Sequence, residues 1–445
     1  MPSVSEIQKT YKYRLYPTEA QQQKLDQQFA AIRWIYNAAL EQRITYGRRK
    51  GTDAFYRDSS FNSMRQDKGL SWNELKHDAD LSWISDCLLK DTATYALQDL
   101  DKAYTNFFKT GAGYPKPRRF LDNNSYKAKI YVGKRLNLIF GKDTVKIPKV
   151  GRVKYSKHKK FGSLVTTATV IREGSEYYLC VTSKIPLKET SHQGACVGID
   201  LGVTVPMATS DGLALPKNAA LDALEKRYRK FQKRFARKTN KQSNRRKRIK
   251  AELAGIKRHQ TRVRKANIHK ATTELAKTYS YIAIEDLKVK NMTASAKGSA
   301  EEHGKNVKAK SGLNREVLNV SPYMMREQLA YKTVWYGSHL ETVDPKYTSQ
   351  TCSSCGHVSR ENRTTQARFE CQECGCKDNA DVNAAKNILS KSGISETAQG
   401  LRKTPSENHQ VSATSKSIVS VFTPLTHYKS RYSSDGYGEI RSGVP

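Results

Sequence analysis

Four cysteines constrain this chain more than any other feature. Cys352 and Cys355 form one C-x2-C pair, fifteen residues follow, and Cys371 and Cys374 form a second. That spacing is the signature of a tetrahedral zinc site. Gly356 and Gly375 follow the two pairs directly, as the tight turn of a zinc knuckle requires. Four thiolates leave no open position for water, so the expected zinc is structural. Cys376 and His357 stand close by and offer similar donor chemistry, but each fits better as an ordinary neighbour. Zinc binding can supply on the order of 10 kcal/mol of local folding energy, which lets a ribbon form with almost no apolar core. The other cysteines, Cys87, Cys180 and Cys196, lie scattered in apolar surroundings and read as small core hydrophobes. Thiols clustered for a metal suit a reducing compartment better than a disulfide framework does.

An acid follows the second pair. Asp381 opens the segment DVNAAKNI, where helical spacing begins. Two further acids sit at apolar strands: Asp200 in VGIDLG and Glu285 in YIAIED. A carboxylate in an apolar strand is costly to bury unless it binds a cation or another partner. Singly, each is readable as a surface or capping carboxylate, and Asp381 as a helix N-cap. Together they supply the clustered oxygens that hard divalent cations require, and two magnesium ions roughly 3.5 to 4 Å apart can drive phosphodiester cleavage. A strand, a long insertion, a second strand, another insertion and an acid-bearing helix would assemble such a cluster on an RNase H-like sheet.

The chain before these motifs changes character in order. KTYKYRLYP at 9–17 alternates basic and apolar side chains up to Pro17, the pattern of one half-buried strand. Thr18 and Glu19 can then cap a helix carrying Leu25, Phe29, Ile32, Tyr36, Ala39 and Ile44 at helical spacing. A second helical pattern runs from Ile84 to Phe108 and stops at Gly111 and Gly113, with an aromatic stripe that reads as packing core. GYPKPRRF is a basic linker, and from about 125 to 186 short β-branched and aromatic runs predict a small basic barrel, which the opening strand would complete. Residues 217–278 predict a pair of helices dominated by Lys and Arg, and SAKGSAEEHGKNVKAKSG predicts a flexible segment before the helix SPYMMREQLAYKTVWYGSHL. The tail reads as mostly disordered, with VSVFTPL at about 420–425 a short strand or a docking segment.

The 445 residues have room for about three domains. A formal charge of +36, from 78 Lys and Arg against 42 Asp and Glu, points to a polyanion. No apolar run approaches the roughly 20 residues of a spanning helix, and the start lacks a signal-peptide core. Nucleic acid is therefore the expected partner and a membrane is not.

The motifs GIDLG, IAIEDL and TSQTCSSCG, with CQECG and DVNAAKNI after them, resemble those of TnpB, the transposon-encoded relative of type V CRISPR effector nucleases. The likeness extends to YKYRLYPT, to WISDCLLKDTATYALQDLDKAYTNFF with GYPKPRRF, and to KIPKVGRVKYSKH, so it covers about residues 8–390 and leaves the tail unmatched. It implies a multidomain α+β protein: a wedge β-barrel (1–17 and 118–192) with an inserted helical recognition domain (18–117), a RuvC-like, RNase H-like α/β nuclease domain (193–346 and 378–392), a zinc-ribbon target-nucleic-acid-binding insertion (347–377) and the tail (393–445). Asp200, Glu285 and Asp381 match the family's metal-binding nuclease acids, and Cys352, Cys355, Cys371 and Cys374 its zinc ligands. One departure is visible. Many relatives carry Asp-Arg-Asp before Asn-Ala-Ala, whereas this chain has Asp378-Asn379-Ala380-Asp381, and position relative to Asn383 favours Asp381 over Asp378.

The resemblance thus predicts an RNA-guided DNA endonuclease using Mg2+ or Mn2+ and structural Zn2+. Its implied partners are a guide RNA from the transposon end and double-stranded target DNA with a short adjacent motif. The implied setting is the cytoplasm, associated with the nucleoid. A nuclease-silent RNA-guided repressor, and a transposase acting on transposon ends, are the alternatives.

Overall fold

The computed structural model describes residues 6–50, 77, 80–120, 124–128, 131–132, 135–136, 138–156, 158–162, 164–186, 194–299, 302–393 and 421–424. Two compact units divide the chain at Lys188 and Glu189.

In the first unit, β1 (Glu6–Tyr16) lies in the middle of an antiparallel sheet. Its alternation places Tyr13 and Leu15 inside and Lys12 and Arg14 on the opposite face. The other strands are β2 (Asn124–Ala128), β5 (Ile139–Phe140), β6 (Thr144–Ile147), β7 (Gly151–Tyr155), β8 (Leu164–Glu173) and β9 (Glu176–Pro186), with β3 (Tyr131–Val132) and β4 (Arg135–Leu136) forming a separate small hairpin. The sheet order is β2-β8-β9-β1-β7-β6-β5, so β2 and β5 are its two edges and the sheet is a half-barrel, open where a closed barrel is expected.

Pro17 ends β1, and α1 (Glu19–Lys50) begins at once. Its start is a reciprocal cap in which the Gln21 backbone N–H donates to Thr18 Oγ1 at 3.4 Å and the Thr18 N–H to Gln21 Oε1 at 3.1 Å. The second helical pattern is broken at Leu88, whose backbone is extended, into α2 (Ser82–Cys87) and α3 (Lys90–Thr110). Gly111, in the left-handed region at φ +66°, caps α3. Of the aromatic stripe, Tyr104 is buried and Phe108 is exposed. Leu25, Phe29 and Leu100 from the helices and Tyr13, Val153 and Leu179 from the sheet share one core.

The second unit is built on a six-stranded sheet. Its strands are β10 (Ala195–Asp200), β11 (Met207–Thr209), β12 (Leu213–Leu215), β13 (Tyr279–Glu285), β14 (His339–Val343) and β17 (Thr423–Pro424), in the order β14-β13-β10-β11-β12-β17. β10, β13 and β14 run parallel, while β10, β11 and β12 form an antiparallel meander. Parallel neighbours need crossovers. The crossover from the meander to β13 contains the predicted helical pair, α4 (Ala219–Ala236) and α5 (Asn244–Thr278). α4 buries no residue fully; Leu221, Leu224, Tyr228, Phe231 and Phe235 form a half-buried apolar stripe, and the basic side chains occupy the remaining face. The last turns of α5 bury Ile268, Ala271 and Leu275 on the sheet.

The 295–320 stretch differs from expectation. After a single turn, α6 (Val289–Met292), residues 307–320 form α7 (Val307–Val320) rather than a flexible segment. Only Val317 of this helix is fully buried, while Leu313 and Leu318 are exposed. α8 (Pro322–Tyr336) follows, and α9 (Ala380–Lys391) closes the unit. Ile282 and Ile284 share a core with Leu275 of α5 and Leu329 of α8, whereas Ala283 between them packs with Ile388 of α9. Successive strand residues point to opposite faces, so helices cover this sheet on both sides.

Most of the tail lies outside the described residues. Its segment at 421–424 buries Phe422 in the sheet's core and adds β17 beside β12, the short-strand reading of VSVFTPL. Among the described residues no helix is long and apolar enough to cross a membrane.

Candidate active site and zinc ribbon

Asp200 is the last residue of β10 and Glu285 the last of β13. The two strands are parallel neighbours in a register that pairs Val197 with Ile282 and Ile199 with Ile284. The acids therefore end adjacent strands side by side, although 84 residues separate them, counted from the numbering. Asp286, the next residue, is drawn off into ion pairs with Lys288 at 2.5 Å and with Arg326, which hold its carboxyl below the usual range.

Asp381 reaches the same place from α9. This helix lies against β10 so closely that a Cβ at Gly198 would stand 2.0 Å from the Ala385 carbonyl oxygen and 2.8 Å from the Leu389 nitrogen. Glycine in GIDLG and the small side chains of Asn-Ala-Ala are thus two sides of one contact. The N-cap of α9 is Asn379, whose Oδ1 accepts from the Asp381 and Val382 N–H groups at 2.9 and 3.3 Å. Asp381 itself sits in the first turn, its carboxylate free of capping duty. Asp378 pairs with Lys386 at 2.7 Å.

The electrostatics confirm that three carboxyls share one field. Burial, then the Glu285 carboxylate, then that of Asp381 push Asp200 up to about 7, against a smaller downward pull from Arg363. Burial also raises Glu285 and Asp381, opposed by the Thr348 hydroxyl at the first and by the Arg363 guanidinium at the second. Like-charged oxygens placed where water is scarce favour either protons or cations. Hard divalent ions take oxygen donors of this kind, although the ligand atoms of the three carboxyls do not all lie within 4.8 Å of one another as they stand.

The ribbon occupies residues between β14 and α9. Cys352, Cys355, Cys371 and Cys374 bring their sulfurs within 4.8 Å of one another, and they are the one such group of His, Cys, Asp or Glu donors among the described residues. Sγ atoms of Cys352 and Cys374 are 3.7 Å apart, and those of Cys355 and Cys371 are 3.6 Å apart. A tetrahedron with Zn–S bonds of about 2.3 Å has edges of about 3.8 Å, so the cage fits zinc. Both knuckles turn through glycine in the left-handed region, Gly356 at φ +80° and Gly375 at φ +67°. In each, the glycine N–H donates to the first cysteine's carbonyl, at 2.9 and 3.0 Å. His357 and Cys376 stay outside the cage and instead offer their carbonyls to the Cys352 and Cys371 N–H groups, both at 2.9 Å. β15 (Arg368–Glu370) and β16 (Lys377–Asn379) pair beneath the second knuckle.

Four residues that the sequence did not single out tie the ribbon to the acids. Asn383 of α9 donates to the Thr351 carbonyl at 2.8 Å and accepts the Ser353 N–H at 2.9 Å, while Asn387 donates to the Thr348 and Thr351 carbonyls at 2.9 and 2.6 Å. So clamped, buried Thr348 directs its hydroxyl at Glu285 Oε1, 2.6 Å away. From the ribbon's other side Arg363 reaches Asp381 Oδ1 at 3.2 Å, and Gln366 reaches Thr204 in the β10–β11 connection at 2.6 Å. The Asn-Ala-Ala-x-Asn spacing, which sets Asn383 and Asn387 four apart on one helix face, was the available signal for the two asparagines. Thr348 and Arg363 are ordinary polar residues whose positions only the folded loop defines.

Three family profiles match the chain: "Cas12f1-like, TNB domain" over 323–388, "Probable transposase" over 177–296 and "Helix-turn-helix domain" over 1–51, a stretch that here contains β1 and α1. The "Putative RNA-guided DNA endonuclease InsQ" of Escherichia coli (strain K12) is 32% identical over 85% of this chain and 91% of its own length. A Streptomyces pristinaespiralis protein described as a "Putative RNA-guided DNA endonuclease" is 28% identical over 89% of this chain and 92% of its own. The "CRISPR-associated endodeoxyribonuclease Cas12f1" of Sulfoacidibacillus thermotolerans shares 43% identity over 17% of this chain and 18% of its own. Among solved structures, a Cas12f1–sgRNA–target DNA complex aligns with TM-score 0.48 and 15% identity over 86% of this chain and 99% of that one.

Proposed function

The chain belongs to the TnpB family, and from that membership we propose that it is an RNA-guided DNA endonuclease with its nuclease centre at Asp200, Glu285 and Asp381. The observation that carries this reading is the convergence of those three acids, from distant parts of the sequence, at the C-terminal ends of two interior strands of the six-stranded sheet, where two of them raise the third. The meander followed by two parallel strands on its β10 side supports assignment as an RNase H-like, RuvC-type domain. Residues 193–346 and 378–392 would form it, 347–377 the zinc ribbon, and 1–17 with 118–192 a wedge bearing the helices of 18–117.

Asp200, Glu285 and Asp381 would hold Mg2+ or Mn2+, which supplies activation of the attacking water and neutralisation of the leaving oxygen. The protein's own contributions follow from the contacts. Thr348 fixes the rotamer of Glu285 by its hydrogen bond. Arg363 keeps a positive charge beside Asp381 at the position where a scissile phosphate would lie. Guide pairing reads the target sequence, while the basic surface, with α4 and α5 prominent in it, holds nucleic acid by backbone charge and shape. The setting is the nucleoid.

The test is direct. RNA copurifying with the protein is sequenced, and the complex is offered double-stranded DNA matching that RNA. Cleavage that needs Mg2+ or Mn2+, and is lost in Asp200→Ala, Glu285→Ala and Asp381→Ala with RNA still bound, is the expected result. Binding without cutting by the unaltered chain would favour a repressor, and strand transfer without RNA a transposase.

A further inference from the structure

The sheet of the second unit ends on a strand brought from far along the chain. β17 comes from the tail, and 27 residues of sequence, 394–420, intervene between Gly393 and Val421. At up to about 3.3 Å per residue such a connection can span far more than the sheet, so it does not dictate where the segment lies. The segment's own contacts must do so.

Those contacts fall in line with the acid cluster. Asp200 pairs with Ala208, Ala208 with Ala214 and Ala214 with Thr423, a single row across four strands. Three strand spacings of about 4.8 Å each put Thr423 about 14 Å from Asp200 along that row. Beside the row Met207 pairs with Leu215, and fully buried Phe422 joins both in the core that also holds Val197 and Ile199 of β10. Pro424, opposite Leu213, has no N–H to offer a further strand, so the sheet stops there.

Without β17 the outer edge of β12 would present unpaired backbone groups beside an apolar hole the size of a phenyl ring. A pairing edge and a pocket for one large side chain are the two parts of strand-addition recognition. The first gives affinity and the second selects the segment.

We propose that the outer edge of β12 is a docking site for a short extended segment carrying one aromatic anchor, that Val421–Pro424 of the same chain occupies it, and that occupancy steadies the strand row on which Asp200 stands. The tail thereby serves the nuclease centre, a role that rests on the endonuclease reading only where cleavage is concerned.

The test uses the full-length chain carrying Phe422→Ala and a synthetic peptide of residues 416–430 added in trans. Loss of a fully buried phenyl ring should lower the melting temperature by about 5 °C or more. Transmitted through β12 and β11, it should reduce guided cleavage about tenfold or more, with zinc and RNA retained. The peptide at submillimolar concentration should restore both, and the same peptide with Phe422→Ala should restore neither. A labelled copy should bind the Phe422→Ala chain and be excluded from the unaltered one, whose edge is occupied. Phe422→Leu, which keeps an apolar anchor of smaller size, supplies the same measurements at a milder loss if the alanine chain does not fold.

An unchanged melting temperature in Phe422→Ala would mean that the segment does not dock. A lowered one that the peptide cannot restore would make β17 a fixed strand of the fold and overturn the docking site. A dimer of the unaltered chain that Phe422→Ala disperses would seat the segment on a second copy and overturn its assignment to its own sheet. A lowered melting temperature with unchanged cleavage would overturn the support of Asp200. Melting and peptide binding need neither guide nor target, so a chain that passes them yet cuts no DNA refutes the endonuclease reading alone.

Discussion

Arg363, carried by the zinc ribbon, stands 3.2 Å from Asp381, the first-turn acid of the helix that follows the ribbon. Its other contact from the same nitrogen is the Gln366 carbonyl at 2.7 Å, which keeps the guanidinium on its own loop. The ribbon thereby sets a cation beside the acids, and Arg363 lowers both Asp381 and Asp200.

Replacing Arg363 with Gln removes the charge that lowers both Asp381 and Asp200. Both carboxyls then rise. Cleavage needs them ionised, so the acid limb of the pH–rate profile should move to higher pH, with the activity deficit larger at pH 6.5 than at pH 8.5. Loss of this charged hydrogen bond should cost the metal-free protein about 1 to 3 kcal/mol of stability. An unmoved acid limb would mean that Arg363 does not act on the acids.

Asp200 at about 7 has a linkage consequence. Its folded value lies above the unfolded one, so without metal its contribution to stability is complete below the unfolded value, near 4, and is lost as pH rises through about 7. Asp200→Asn should therefore raise the metal-free melting temperature at pH 8 and change it little at pH 4.5. Protons and cations compete for the same oxygens. The Mg2+ concentration giving half-maximal cleavage should accordingly rise as pH falls from 8 to 6. Melting curves at the two pH values, with and without Mg2+, check both statements; equal gains from Asp200→Asn at both values would refute the first.

Removing zinc should act at a distance. Cys371→Ser deprives the cage of a buried sulfur, and the chain should lose its one equivalent of zinc as measured by mass spectrometry. The ribbon's loop is what Asn383 and Asn387 grip, and Thr348 is what that grip presents to Glu285. Cleavage should thus fall at least a hundredfold, while the far-ultraviolet signal of the remaining elements persists. Thr348→Val gives the separate measure of the last link: zinc retained, cleavage reduced about tenfold.

How much of this was legible depended on whether a signal was local. The cysteine spacing announced the cage because zinc fixes ligand geometry whatever surrounds it. Apolar strands ending in Asp200 and Glu285 announced two acids, since a carboxylate at the end of a buried run is conspicuous. Asp381 against Asp378 was separable by distance to Asn383. By contrast α7 was missed because its first turns continue the Gly-, Ala- and Lys-rich run that begins at Ser295, and its Leu313 and Leu318 lie exposed. Thr348 and Arg363 acquire their meaning only when a loop brings them to acids far away in the sequence, so no periodicity could mark them.

Gly198 gives the sharpest test of how the site is assembled. Nothing catalytic is attached to it, and its neighbours Val197 and Ile199 face the opposite core. A methyl group there would meet the Ala385 carbonyl oxygen at 2.0 Å and the Leu389 nitrogen at 2.8 Å, both backbone atoms that cannot rotate away. Relief requires moving α9 as a body, by roughly the 1 Å that separates these approaches from ordinary contact. Overpacking of this kind costs about 1 to 3 kcal/mol, so Gly198→Ala should fold with a lowered melting temperature. Asp381 and the clamping asparagines ride on the same helix, and a displacement of about 1 Å can cost about a hundredfold in rate. The expected outcome is a folded, zinc-loaded, RNA-binding protein with cleavage down by about that factor. Wild-type cleavage by G198A would show that α9 does not need its seat on β10, and with it that Asp381 is not positioned by this contact.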